Sequence, residues 1–299
     1  MGETAFHPEL RRVARFAPRS WVTPRTLRLM RILAGLAEPR GIKDIEVHTV
    51  DRHVSVRMHT PATLSRPAPA LLWLHGGGYV MGSARQEDKT CRALSQRLGI
   101  SVAAVDYRLG PEHSYPAGLE DSYTALRWLS KQPNVDAERV AVGGNSGGGG
   151  LAAALAILAR DRGEIPLAAQ ILKYPMLDDR TVAHRENKRR YRLWNERNNR
   201  FGWASYLGDA NPEDAVPARR HDLAGLAPAW IGVGTLDLFY DENAAYAKRL
   251  SDAGVPCRLE VVPGAFHAFD DCVPRASISR GFFDSQCAML RETFQPTTS

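Results

Sequence analysis

Six short, almost wholly apolar runs, spaced by stretches of helical periodicity, constrain this 299-residue chain more than any other feature. The runs are Leu71–Leu74, Val102–Val105, Val140–Val142, Ala169–Leu172, Trp230–Val233 and Leu259–Val262. Between and after them lie Lys89–Leu98, Leu119–Lys131, Leu151–Arg160, Asn243–Ala253 and Ile278–Phe294, which read as helices. A strand without polar alternation is buried on both faces, and strands separated by helices are joined by crossovers. The pattern predicts an α/β fold with a mainly parallel central sheet and helices on both faces. Period-two stretches at Ile45–His48 and Val54–Met58 predict an opening antiparallel pair. The length suits one such domain with an added cap.

Within that rhythm, Gly144-Asn145-Ser146-Gly147-Gly148 joins the strand ending near Gly143 to the helix from Leu151. A serine on so sharp a strand-to-helix turn takes strained backbone angles and stands clear of the sheet, so Ser146 is the candidate nucleophile. Gly147, Gly149 and Ala152 also fit a dinucleotide-binding spacing, but that fingerprint needs a carboxylate about twenty residues on, where Leu167–Leu172 carries none. A third reading leaves the glycines to close packing alone. After the Leu71–Leu74 strand comes His75-Gly76-Gly77-Gly78. Acyl transfer places negative charge on a carbonyl oxygen, and consecutive glycines let backbone N–H groups approach it. Gly77, Gly78 and Gly147 are the expected donors, with His75 pinning the loop.

A base and its orienting acid are expected downstream, in the order acid then histidine. Asp237 sits at the C-terminal end of the Ala229–Gly234 strand, where an α/β sheet presents its catalytic groups. Asp241 competes for the same role, although Asp241 and Glu242 also read as acids in the first turn of the next helix. His267, in Pro263–Phe269 just past the last strand, is the expected general base.

In these motifs the chain resembles the bacterial hormone-sensitive-lipase-like esterases of the α/β-hydrolase superfamily. The resemblance runs from about Ile45 to Leu290 through His75–Gly78, Asp106–His113, Tyr115–Ala117, Leu119–Asp121, Gly144–Gly148, Tyr174-Pro175, Asp237–Glu242 and Gly264–Phe269. It implies an α/β-hydrolase fold with a helical cap and a Ser146–His267–Asp237 triad cleaving short- to medium-chain esters. The family usually carries an acidic residue and alanine around the serine, where this chain has Asn145 and Gly147. It also usually has Asp-Pro-Leu where Asp237-Leu238-Phe239 stands. Altered loop rigidity or pocket shape is expected from the first change, with the Gly147 amide retained. The Tyr107–His113 stretch is expected to buttress the oxyanion loop. A lactonase or a metabolite deacetylase remains open, as does a ligand receptor on the same scaffold, which the three triad residues disfavour.

The insertion from Asp178 to about Pro217 interrupts the strand–helix rhythm with Tyr191, Trp194, Phe201, Trp203 and Tyr206. It is expected to be a helical cap (178–217) on a catalytic domain made of 41–177 and 218–299. The arm 1–40 joins the cap through an amphipathic helix with Leu27, Met30, Leu33 and Ala34 at helical spacing. The formal net charge is +6. A basic run of Arg185, Lys188, Arg189, Arg190 and Arg192 lacks interleaved aromatics and reads as a solvated helix face, not a nucleic-acid site. Attraction of anionic substrates or surfaces is the other reading of that run. No apolar leader or membrane-length run is present, which points to the cytoplasm without stable membrane insertion. Cys91, Cys257, Cys272 and Cys287 show no metal spacing and are expected to be reduced. No metal or other cofactor is expected, a small-molecule ester is the expected partner, and a homodimer is left open.

Overall fold

The computed structural model describes residues 5–19, 22–38, 42, 45–62, 64, 67–182 and 190–295. One eight-stranded sheet organises them: β1 (Glu46–Thr49), β2 (Ser55–His59), β3 (Ala68–Leu74), β4 (Ser101–Asp106), β5 (Val135–Asn145), β6 (Gln170–Lys173), β7 (Ala229–Gly234) and β8 (Cys257–Val262), in spatial order 1-2-4-3-5-6-7-8. β1 and β2 pair antiparallel, β2 lies antiparallel to β4, and all remaining neighbours are parallel. The helices are α1 (Arg11–Phe16), α2 (Leu27–Ala37), α3 (Asp88–Leu98), α4 (Ala117–Ser130), α5 (Gly147–Arg162), α6 (Glu196–Leu207), α7 (Pro212–Ala215), α8 (Tyr240–Asp252), α9 (Phe269–Cys272) and α10 (Ser277–Phe294).

Strand alternation divides the core between the two faces of the sheet. Leu72, Leu74, Val142, Leu172 and Ile231 bury into one cluster, and Leu71, Trp73, Ala141, Ile171 and Trp230 into the other. α5 is buried from Gly147 to Ile157, which is why its sequence is apolar all round and lacks a polar stripe. The register pairs Leu74 with Gly144, Asn145 with Lys173 and Gly234 with Val262. The loops leaving β3, β5, β7 and β8 therefore open at one end of the sheet, the C-terminal edge where α/β proteins gather their chemistry.

Residues 190–217 and the described residues among the first 38 pack on one another near that edge. Leu193 N donates to Pro18 O at 2.8 Å, Asn195 Nδ2 to Arg19 O at 2.7 Å and Asn198 Nδ2 to Val22 O at 2.6 Å. Two expectations change here. Arg192 is buried, donating through Nε to Ala14 O and lying over the Phe6 ring, so it staples the arm to the segment before α6 and does not belong to a solvated helix face. Arg185, Lys188 and Arg189 fall outside the described residues. In α2, Leu27, Met30 and Ala34 pack on the core, whereas Leu33 turns away from it and is 47% exposed.

The four cysteines form no disulfide. His59 on β2 is buried, and that desolvation pulls its pKa down from 6.5 to about 4, against the opposing pull of Asp88. A histidine held neutral by folding contributes stability that is complete above pH 6.5 and is lost as pH falls toward 4, because the unfolded chain protonates first. Thermal unfolding followed between pH 7 and 4 should show this loss, and His59→Gln should flatten it relative to the parent.

Candidate active site

The turn after β5 places Ser146 at φ 56°, ψ −121°, a conformation that side chains other than glycine rarely adopt. Three backbone hydrogen bonds hold it: Ser146 N to Lys173 O at 2.9 Å, Gly150 N to Ser146 O at 3.0 Å, and Met176 N to Ser146 O at 3.0 Å. A Cβ at Gly148 would meet Leu74 O at 2.2 Å, so only glycine lets α5 start this close to β3.

Ser146, Asp237 and His267 come from loops far apart in sequence and meet at this turn. His267 Nε2 lies 2.9 Å from Ser146 Oγ, and His267 Nδ1 lies 2.8 Å from Asp237 Oδ2. Asp237 Oδ1 accepts from Phe239 N at 3.0 Å. A carboxylate only accepts hydrogen bonds, so Nδ1 is the ring nitrogen that donates, and the neutral ring turns its Nε2 lone pair toward the serine hydroxyl. All three side chains are buried, at 6%, 3% and 5% exposure. Tyr174 and Phe239 set their rings edge-on to the imidazole, with centroids 4.8 and 5.3 Å away. Asp241 is exposed on the first turn of α8 and takes no part in this contact. The arrangement can move a proton from a hydroxyl to an imidazole whose orientation is fixed by a buried carboxylate.

The loop after β3 faces the serine turn. A Cβ at Gly147 would sit 2.9 Å from both Gly78 N and Tyr79 N, so the Gly77–Tyr79 turn lies directly against the start of α5. The amides of Gly78 and Gly147 donate to no acceptor among the described residues. His75 fits its expected role as a pin: Nδ1 lies 2.9 Å from Gly76 O, the ring stacks on Tyr107 at 4.2 Å, and burial lowers its pKa. Tyr107 OH donates to His75 O at 2.7 Å, and Gly110 N donates to Tyr79 O at 2.9 Å, so the Tyr107–His113 stretch does brace this loop. Arg108 in turn grips Asp121 through Nε and Nη2. Asn145 is buried against Gly76, and its Oδ1 has no hydrogen-bond partner among the described residues. Trp194 packs on Gly78, while Trp203 and Tyr206 close around Tyr79.

Two supports escaped the sequence reading. Lys173, whose carbonyl holds the Ser146 amide, extends its buried Nζ to Asp270 at 2.8 Å and Asp271 at 3.0 Å, three and four residues beyond His267. Burial alone would lower its pKa, but Asp270, Asp271 and Glu87 outweigh that and raise it, so the ammonium stays charged. One residue thus ties the serine turn to the histidine loop. The available signal was a lone lysine closing an apolar strand, which needs a buried counter-charge. Glu242 is the second. Its buried carboxylate accepts from Leu177 N at 2.6 Å and contacts Thr181, anchoring the chain as it leaves β6.

Comparison with known proteins agrees with the fold. A family model described as alpha/beta hydrolase fold matches residues 71–271. The chain is 36% identical over 228 residues to esterase LipI of Mycobacterium tuberculosis, covering 72% of this chain and 71% of that protein. It is 37% identical over 255 residues to an ethyl acetate hydrolase of Pseudomonas putida, covering 80% and 79%. Among solved structures, a bacterial heroin esterase superposes with a TM-score of 0.87 at 33% identity, covering 98% of this chain and 99% of that one. A fold, a motif order and relatives that agree over most of the sequence place the chain among the hormone-sensitive-lipase-like carboxylesterases of the α/β-hydrolase superfamily.

Proposed function

We propose that the protein hydrolyses small carboxylic esters through a covalent acyl-enzyme formed on Ser146. The observation that carries this reading is the continuous hydrogen-bonded line from Ser146 Oγ through His267 to Asp237. His267 Nε2 takes the hydroxyl proton as Oγ attacks the ester carbonyl, and Asp237 stabilises the imidazolium that forms. The carbonyl oxygen, now negative, accepts from the amides of Gly77, Gly78 and Gly147. His267 returns the proton to the departing alkoxide, which leaves as the alcohol. It then draws a proton from water, whose oxygen attacks the acyl carbon and releases the acid and a restored Ser146.

Residues 178–217 and 1–40 act as a cap on a catalytic domain of 41–177 and 218–299. The hydrogen bonds between the arm and the segment before α6, and the packing of Trp194, Trp203 and Tyr206 on the oxyanion loop, support this division. Large rings packed this close to the loop limit the space over it, which favours short to medium acyl groups, in keeping with relatives named ethyl acetate hydrolase and acetyl-hydrolase.

Ser146→Ala should lower kcat on p-nitrophenyl acetate by about 10⁴-fold or more with an unchanged unfolding transition. A variant that kept a substantial fraction of parental kcat would remove Ser146 from the nucleophile role. Asp237→Asn should cost about 10⁴-fold through the wrong imidazole tautomer. Asp241→Asn, on an exposed side chain, should stay near the parental rate, and the reverse order would reassign the acid. Gly147→Ala puts a methyl where Gly78 N and Tyr79 N now crowd in. It should displace the donors and lower kcat between about 10- and 100-fold with little change in KM; an unaltered kcat would mean that these amides do not hold the oxyanion.

A further inference from the structure

α2 carries apolar side chains on two opposite faces. Leu27, Met30 and Ala34 pack on the core. Leu29, Ile32, Leu33 and Leu36, at spacings of three, four and seven, form a second stripe turned outward, with exposures of 54%, 62%, 47% and 62%. Scattered surface leucines need no explanation, but four on one face of one helix do.

Charge narrows what can cover that stripe. From Arg11 to Ala37 the chain carries seven arginines and no acidic residue. The first forty residues hold eight arginines against three glutamates, and the remainder holds thirty-one basic side chains against thirty acidic ones, so the arm supplies nearly all of the net charge of +6. Arg31 is engaged inward, donating to Val80 O at 2.8 Å, Gly110 O at 2.8 Å and Glu112 at 2.7 Å. Arg25 and Arg28, in contrast, are exposed beside the stripe. On the preceding helix, Phe16 is 79% exposed among Arg11, Arg12 and Arg15, which are also exposed. An apolar stripe flanked by arginines without acids is the pattern of a helix lying in the plane of an anionic lipid surface. The arm is also continuous with the reaction centre, because Arg31 holds the Val80 carbonyl just behind the Gly77–Tyr79 turn.

We propose that the outward face of α2 docks the protein peripherally on an anionic lipid surface, with Leu29, Ile32, Leu33 and Leu36 entering the headgroup boundary and Arg25 and Arg28 pairing with lipid phosphates. No helix among the described residues is long and apolar enough to cross a membrane, so the attachment is by this face and reversible. Docking sets the oxyanion loop and its cap close to the lipid, where esters dissolved in that phase are concentrated.

The test is flotation of the full chain with vesicles of phosphatidylcholine alone and of phosphatidylcholine mixed equally with phosphatidylglycerol. Binding should be confined largely to the anionic vesicles and should weaken as salt is raised. Ile32→Glu with Leu36→Glu, both exposed positions, should weaken binding by about tenfold or more while leaving the unfolding transition in place. Arg25→Gln with Arg28→Gln should abolish the preference for anionic over neutral vesicles. The full chain failing to float with anionic vesicles at low salt would overturn the proposal. So would an Ile32→Glu/Leu36→Glu variant that binds like the parent, or one whose only change is conversion of a dimer to a monomer in sedimentation, which would make a second copy the occupant. Because vesicle binding does not require turnover, it is read equally well in the Ser146→Ala background and stands or falls separately from the esterase mechanism.

Discussion

The left-handed turn at Ser146 is the constraint on which the rest of the site depends. A non-glycine residue at φ 56° persists only where its surroundings over-determine it. Here the backbone of Ser146 is held from β6, from α5 and from Met176, while Gly148 allows α5 to start against the carbonyl end of β3. The same turn points the hydroxyl at His267 and leaves the first amide of α5 without an intrahelical acceptor. Strain at one residue thereby sets both the direction of the hydroxyl and the position beside it of one amide, unpaired among the described residues, which the proposed mechanism uses for attack and for the developing charge.

The supports around this turn form a connected shell. Lys173 links it to Asp270 and Asp271, and so to the loop that carries the histidine. Tyr107 and Gly110 brace the glycine loop from below, and Trp194, Trp203 and Tyr206 cover it. Arg31 brings the arm into contact with the same loop, at Val80 O. A perturbation of the arm or of residues 190–217 therefore reaches the Gly77–Tyr79 turn through direct contacts, with no longer path required.

Most of the sheet was legible from sequence because buried parallel strands leave near-continuous apolar runs. The candidate site was legible because a serine on a strand-to-helix turn, a glycine loop, an acid at a strand end and a histidine past the last strand are local patterns with a fixed order, and the fold brings them together. What escaped depended on partners distant in sequence. Lys173 gives no hint of Asp270 or Asp271, which lie nearly a hundred residues on. Glu242 looked like a first-turn acid on α8, which it is, but its carboxylate also reaches back to Leu177. Arg192 sits in a basic run and is nevertheless buried, because the carbonyl of Ala14 meets it there. In α2 the sequence suggests a single apolar stripe through Leu27, Met30, Leu33 and Ala34, but the core uses only Leu27, Met30 and Ala34, and a second stripe faces outward. Helical spacing shows which residues share a face, but not which face the core will take.

The central claim is that a covalent acyl-enzyme forms on one serine, and trapping it tests that claim most directly. The full chain, reacted with a p-nitrophenyl phosphonate ester and digested, should carry one phosphonyl group, located by mass spectrometry on the peptide that contains Ser146. Loss of esterase activity should track its incorporation. Labelling at another residue, or complete inactivation with Ser146 unmodified, would contradict the mechanism.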